Sequence, residues 1–177
     1  TYGGSSLTID RNWVDVGNGS VGSPSTALCK SRGKGVSVDL RAYPKRTKGS
    51  RGPAVAAGQC LLRRNGYSRA PITGTYDAKT VAVVKKAQKK LDLKVTGKLY
   101  RRTWVSLLAH GKHPLVKVGS TGDPVRRVQR ALTAALGKPV RIDGALSTKT
   151  AKAVSKYQRR AGLPASGVVT DAVWNLL

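Results

Sequence analysis

Ile142-Asp143-Gly144-Ala145-Leu146-Ser147-Thr148-Lys149-Thr150-Ala151-Lys152-Ala153-Val154-Ser155-Lys156-Tyr157-Gln158-Arg159-Arg160-Ala161-Gly162-Leu163 holds the pattern that decides the fold. Asp143-Gly144 accommodates a tight bend, and Ser147 follows where it can N-cap a helix. Apolar positions then recur at Ala151, Val154, Tyr157 with Gln158, and Ala161, the spacing of one helical face. Gly162 stops that helix as a left-handed residue. Beyond a turn at Ser166-Gly167, Thr170 is placed to cap a last short helix that returns Val173, Trp174 and Leu177 to the same core.

Working outward, the same pattern lies earlier in the chain, shifted by 70 residues without a gap, so that Gly49 meets Gly119 and Leu107 meets Leu177. Gly52, Val55, Gln59, Leu62, Ile72, Gly74, Thr80, Val84, Gln88, Gly97 and Trp104 each find an identical residue at the other end of that shift. Two tandem copies of one small domain follow. In the second copy Gly122-Asp123-Pro124 opens a helix with Asp123 as the expected N-cap, and Val125, Val128, Leu132 and Leu136 line one face as far as Gly137. Gly52-Pro53 opens the matching helix of the first copy, with Val55, Gly58, Leu61 and Leu62 on its inner face and Gly66 at its end. The predicted fold is mainly α: two tandem three-helix modules behind an irregular, partly extended N-terminal arm. The arm spans 1–42, the first module 43–108, a hinge 109–114 and the second module 115–177. Gly- and Ser-rich runs, with Trp13-Val14 as the large apolar pair, predict irregular structure in the arm; alternating Val36, Val38 and Leu40 predict one short strand before Tyr43-Pro44.

Asp143-Gly144, Thr150, Ala153-Val154, Tyr157-Gln158, Gly162-Leu163, Gly167 and Trp174 together resemble the signature of the three-helix peptidoglycan-binding domain found beside cell-wall hydrolases. The resemblance covers 115–177 well and 43–108 less closely, since Thr73 stands where the second copy has Asp143, and Ala87 where it has Tyr157. It implies peptidoglycan as the partner and a binding pocket in the second module around Asp143, Tyr157 and Gln158. Gln88, the first module's match to Gln158, joins that candidate set. For Gln59, Gln88, Gln129 and Gln158 the competing reading is structural: each lies near the apolar stripe of its helix, where a carboxamide can bond loop backbone groups. Trp104 and Trp174 read as core plugs ahead of sugar-stacking platforms.

Composition narrows the partner. The chain carries 33 Lys and Arg against 8 acidic residues, all Asp, for a formal net charge of +25. With no Glu, the basic residues cannot be one half of helix-surface ion pairs, and self-repulsion on this scale points to a polyanionic partner. Lys152, Lys156, Arg159 and Arg160 form a basic ridge along the long helix, repeated in the first copy by Lys85, Lys86, Lys89 and Lys90. Anionic wall polymers and nucleic acid both carry the required charge. Nucleic acid is the weaker candidate, because Phe is absent and the few aromatics are scattered, which leaves no stacking platform for a single strand.

Catalytic equipment is scarce. A zinc hydrolase of the cell wall needs about three His or carboxylate ligands and a general base. The only histidines are His110 and His113, at a Gly- and Pro-containing link, so no metal site, cofactor or catalytic residue is expected. Asp77, Asp143 and Asp171 fall at turns or helix starts, where capping is the expected role. Two enzymatic alternatives stay open: a hydrolase in its own right, or the targeting portion of one. Cys29 and Cys60, the two cysteines, are expected to pair, with two separate buried thiols as the alternative. The chain begins at Thr1 and has no methionine, so the expectation is a secreted mature form, extracellular or wall-associated, with a leader removed.

Overall fold

The computed structural model describes residues 29–31 and 33–177. Trp13, Val14 and the Gly- and Ser-rich runs lie outside them. The order is β1 (Cys29–Ser31), β2 (Lys34–Val36), α1 (Pro53–Arg64), α2 (Ala78–Lys90), α3 (Arg101–Ala109), α4 (Asp123–Leu136), α5 (Thr148–Arg160) and α6 (Asp171–Leu176). Helices α1 to α3 build one module and α4 to α6 the other, so the fold is mainly α with two three-helix repeats. The strand signal around Val36 is right in kind, but it belongs to a hairpin, with Cys29 opposite Val36 and Ser31 opposite Lys34. Pairing ends at Val36 because β1 is only three residues long. Val38 is buried and its carbonyl accepts the Tyr43 hydroxyl at 2.7 Å.

The ungapped repeat reappears bond for bond. Isolated β-bridges join Arg46 to Leu99 and Arg51 to Thr75, and 70 residues on they join Val116 to Val169 and Thr121 to Ala145. Trp104 and Trp174 are buried, and their indole Nε1 groups donate to the carbonyls of Pro44 at 2.9 Å and Pro114 at 2.8 Å. Each is therefore the plug of its module, and truncation of either to Ala costs about 3 to 5 kcal/mol. Gly58 reads as part of the inner face for a steric reason: a Cβ there would lie 2.5 Å from Leu99 Cδ1 and 3.2 Å from the Trp104 ring.

Helix ends follow the expected signals with two corrections. Ser147 caps α5 and Asp77 caps α2, each accepting the N–H of the Thr three residues on, at 3.3 and 2.8 Å. Asp123 is not the N-cap of α4. Gly122 holds that position at φ 95°, and its N–H donates to Gly144 O at 2.8 Å. That backbone conformation suits glycine, and Gly52 repeats it at φ 106° before α1. Thr170 stands at the N-cap of α6 without a side-chain capping bond, as Tyr100 does before α3.

Cys29 and Cys60 form a disulfide that ties the hairpin to α1. The link 109–114, expected as a hinge, is contacted by side chains of the second module. Arg127 of α4 donates to the carbonyls of Ala109 and of Lys112, the latter at 2.7 Å, and its guanidinium lies 4.7 Å from the centre of the Trp174 ring. His113 stacks on the same indole with ring centres 5.3 Å apart, and α3 packs against α4. Arg102 of α3 reaches Leu176 O at the end of α6. The two modules thus meet through side chains drawn from both.

Candidate functional site

The four glutamines settle first. Gln88 Nε2 donates to Lys98 O at 2.9 Å and to the hydroxyls of Thr96 and Thr103, while its Oε1 accepts the N–H groups of Thr96 and Gly97 at 2.8 and 2.9 Å. Gln158 does the same for the 166–168 turn, donating to Val168 O at 2.9 Å and Ser166 Oγ at 3.1 Å and accepting from Gly167 N at 2.8 Å. Both are buried, at 0% and 2% exposure. Burial and these bonds favour the structural reading of both carboxamides over a place in the ligand set. Gln59 and Gln129 organise the other loop of each module, accepting the N–H of Gly74 and of Gly144, each at 2.9 Å.

Asp143 and Tyr157 are likewise drawn into structure, in different places. Asp143 Oδ1 accepts Gln129 Nε2 at 2.7 Å and Ala145 N at 3.0 Å. Thr73 Oγ1 makes the equivalent pair in the first module, with Gln59 Nε2 at 3.1 Å and Thr75 N at 3.2 Å, so the substitution preserves the turn. Partial burial pushes the Asp143 carboxyl up, but the Ala145 N–H, Gln129 and the Arg141 guanidinium together hold it below the usual range. Tyr157 is half-buried and donates to Leu176 O at 2.6 Å, the carbonyl that Arg102 also reaches. Burial raises its pKa, against the opposing charge of Arg102. The ten-residue rise from Ser147 to Tyr157 spans about 15 Å of helix, so the expected pocket around Asp143, Tyr157 and Gln158 is not assembled.

Two features among those open to a ligand stand out. Lys152, Lys156, Arg159 and Arg160 are exposed along α5, as are Lys85, Lys86, Lys89 and Lys90 along α2. None forms an ion pair with a described residue; the pairs present are Arg130 with Asp39 and Asp123, and Arg141 with Asp143. The second feature is a groove of about 150 Å³ in the first module, between α1, the 68–73 loop and the start of α2. Leu62, Val83, Ser68, Thr73, Asp77 and Lys79 are among the residues that line it. Reading the sequence missed it, since the module lacks Asp143 and Tyr157. The signal was a difference between the copies: Asp77 faces Ser147 across the repeat, and Pro71 faces Arg141. Among the described residues no three His, Cys, Asp or Glu side chains gather into a metal-holding group, and no helix is long and apolar enough to cross a membrane.

Comparison with known proteins agrees with the duplication. The chain is 31% identical over 198 aligned positions to the N-acetylmuramoyl-L-alanine amidase CwlL of Bacillus licheniformis, a match covering 93% of this chain and 52% of that protein. It thus spans about half the length of the curated relative it matches. The family model of the peptidoglycan binding domain matches twice in tandem, at residues 51–107 and 121–177, each match containing three helices and its own buried tryptophan. The chain belongs to the peptidoglycan-binding domain family, and carries two copies of that domain in tandem.

Proposed function

We propose that this chain is a non-catalytic, secreted cell-wall protein that holds peptidoglycan through both modules, with its positive charge adding attraction to stem-peptide carboxylates and wall phosphates. The observation that carries the reading is the double family match, reproduced as two sets of equivalent bridges and loop-binding glutamines. Eight basic side chains on α2 and α5 that form no ion pair with a described residue support the electrostatic part, because exposed cations free of such pairs keep their charge for a polyanion. Two modules on one chain raise residence on a repetitive polymer through effective concentration. Support for the non-catalytic part is that Asp77 and Asp143, which stand at a cap and a turn, are engaged in backbone hydrogen bonds there.

A second reading has its own support: the amidase relative aligns with nearly all of this chain over about half of its own length. On that reading the two modules are the wall-targeting portion of a hydrolase. Co-sedimentation with purified peptidoglycan, before and after removal of teichoic acids, tests both. Retention on stripped peptidoglycan with no release of amino groups or reducing sugars is the expected result. Release in proportion to protein overturns the non-catalytic assignment, and loss of all retention after stripping overturns peptidoglycan as the partner.

A further inference from the structure

The first module's groove is lined by two opposite charges two residues apart, Asp77 and Lys79, that form no close ion pair with each other. Asp77 Oδ1 accepts both the N–H and the hydroxyl of Thr80, at 2.8 and 2.7 Å, while Oδ2 bonds no described residue. Lys79, two residues on, is exposed and forms no ion pair with a described residue. The Thr80 N–H and hydroxyl hold the Asp77 carboxyl below the usual range, so it is ionised at neutral pH. Capping does not require that charge: the second module caps the equivalent helix with neutral Ser147. In a chain with 33 basic residues and 8 acidic ones, this exposed carboxylate lines a groove together with the apolar Leu62, Pro71 and Val83, and one of its oxygens bonds no described residue.

We propose that this groove is a subsite for a short zwitterionic peptide, the stem peptide of peptidoglycan, with Asp77 receiving the free ammonium of its diamino acid and Lys79 a carboxylate. Leu62, Pro71 and Val83 take the methyl side chains of adjacent alanines, and the Ser68 hydroxyl, whose oxygen accepts the Ala70 N–H at 2.9 Å, keeps its proton for a stem carbonyl. Neutral glycan has no use for paired opposite charges. Divergence of the first copy is on this account specialisation: the groove recognises stems, and the second copy, with Ser147 in place of Asp77, does not. The assignment rests on the wall-binding reading above and names the part of the wall polymer recognised.

The test is a calorimetric titration of the full chain with three probes: the tetrapeptide L-Ala-γ-D-Glu-meso-diaminopimelyl-D-Ala, tri-L-alanine and chitotetraose. The tetrapeptide is expected to bind, and Asp77→Asn, which keeps the cap, and Lys79→Gln are each expected to weaken it about tenfold, the loss of one charge-assisted contact. Lys149→Gln, at the equivalent position of the second module, leaves it unchanged. No heat from the tetrapeptide up to its solubility limit, equal loss in Lys149→Gln, equally tight binding of tri-L-alanine, or chitotetraose binding that Asp77→Asn abolishes would each overturn the proposal. Sedimentation on intact peptidoglycan is scored separately. Retention there with no tetrapeptide binding refutes the subsite and leaves the wall-binding reading standing.

Discussion

Arg130 in α4 donates from Nε to the Asp39 carboxylate 2.5 Å away, joining residues 91 positions apart. The Arg130 side chain is 3% exposed and Asp39 17%, so the second module buries a charge whose principal partner lies ahead of the first. Removing one member of such a pair strands the other. Asp39→Ala is expected to lower unfolding stability by about 3 kcal/mol in urea, and Asp39→Leu combined with Arg130→Met to recover most of the loss. Recovery distinguishes a pair that fixes geometry from one that supplies net stability.

Gln158→Leu and Gln88→Leu are each expected to cost about 2 kcal/mol, because the turn N–H and C=O groups they satisfy are left buried without partners. Thermal denaturation reads this directly. Once folded, the variants should retain wall binding, and a selective loss of binding at unchanged stability would restore these residues to the ligand set.

Replacing Lys152, Lys156, Arg159 and Arg160 together with Gln is expected to flatten the salt dependence of wall binding while leaving stability unchanged or slightly raised. These charges pair with nothing described, and they are screened over ~8 to 10 Å at physiological ionic strength. Co-sedimentation across a salt series checks it; an unchanged slope would locate the electrostatic contact elsewhere.

The Cys29–Cys60 bond closes a separation of 31 residues. Cys29→Ser with Cys60→Ala is expected to lower stability by about 3 to 4 kcal/mol, on the loop-entropy account. Denaturant melts of the intact and double-variant proteins measure it, and a difference below 1 kcal/mol would imply that the unfolded chain was already restricted there.

Tyr43 and Tyr76 are buried, and desolvation carries both hydroxyls well above the ordinary phenol range. For an acid whose folded-state pKa is raised, the stabilising contribution is complete below the unfolded value near 10 and falls away as pH rises past it. Stability should therefore decline above about pH 10, and Tyr43→Phe with Tyr76→Phe should lessen the decline. Urea midpoints measured across that range decide it; equal declines in parent and double variant would assign the effect to other groups.

The fold was largely legible because its determinants are local and written twice. Turn glycines, the Ser147 cap and the 3.6-residue spacing of Val125, Val128 and Leu132 specify helices on their own, and the gapless repeat specifies how many modules there are. What could not be read depends on distant partners. Cys29-Lys30-Ser31 has no alternating apolar pattern, and it becomes a strand by pairing with Lys34–Val36 and anchoring through Cys60. Asp143, Tyr157 and Gln158 suggested one pocket, yet Tyr157 and Gln158, adjacent in α5 and so about 100° apart around its axis, turn toward different neighbours. The groove at Asp77 was harder to read because its lining comes from two helices and a loop, and only the differences between the two copies hint at it.

The Arg127 clasp on the 109–114 link bears on how a protease would meet it. Most Lys and Arg residues in this chain are potential cuts for a trypsin-like protease, and Lys112 sits in the segment that joins the two modules. Such a protease must draw several residues into an extended run across its cleft and leave the scissile carbonyl free for attack. Here the Lys112 carbonyl accepts Arg127 Nη1, the Ala109 carbonyl accepts Nη2, and His113 is stacked against Trp174 before Pro114. These contacts hold the stretch that joins the two modules away from the extended, free-carbonyl form that such a protease requires.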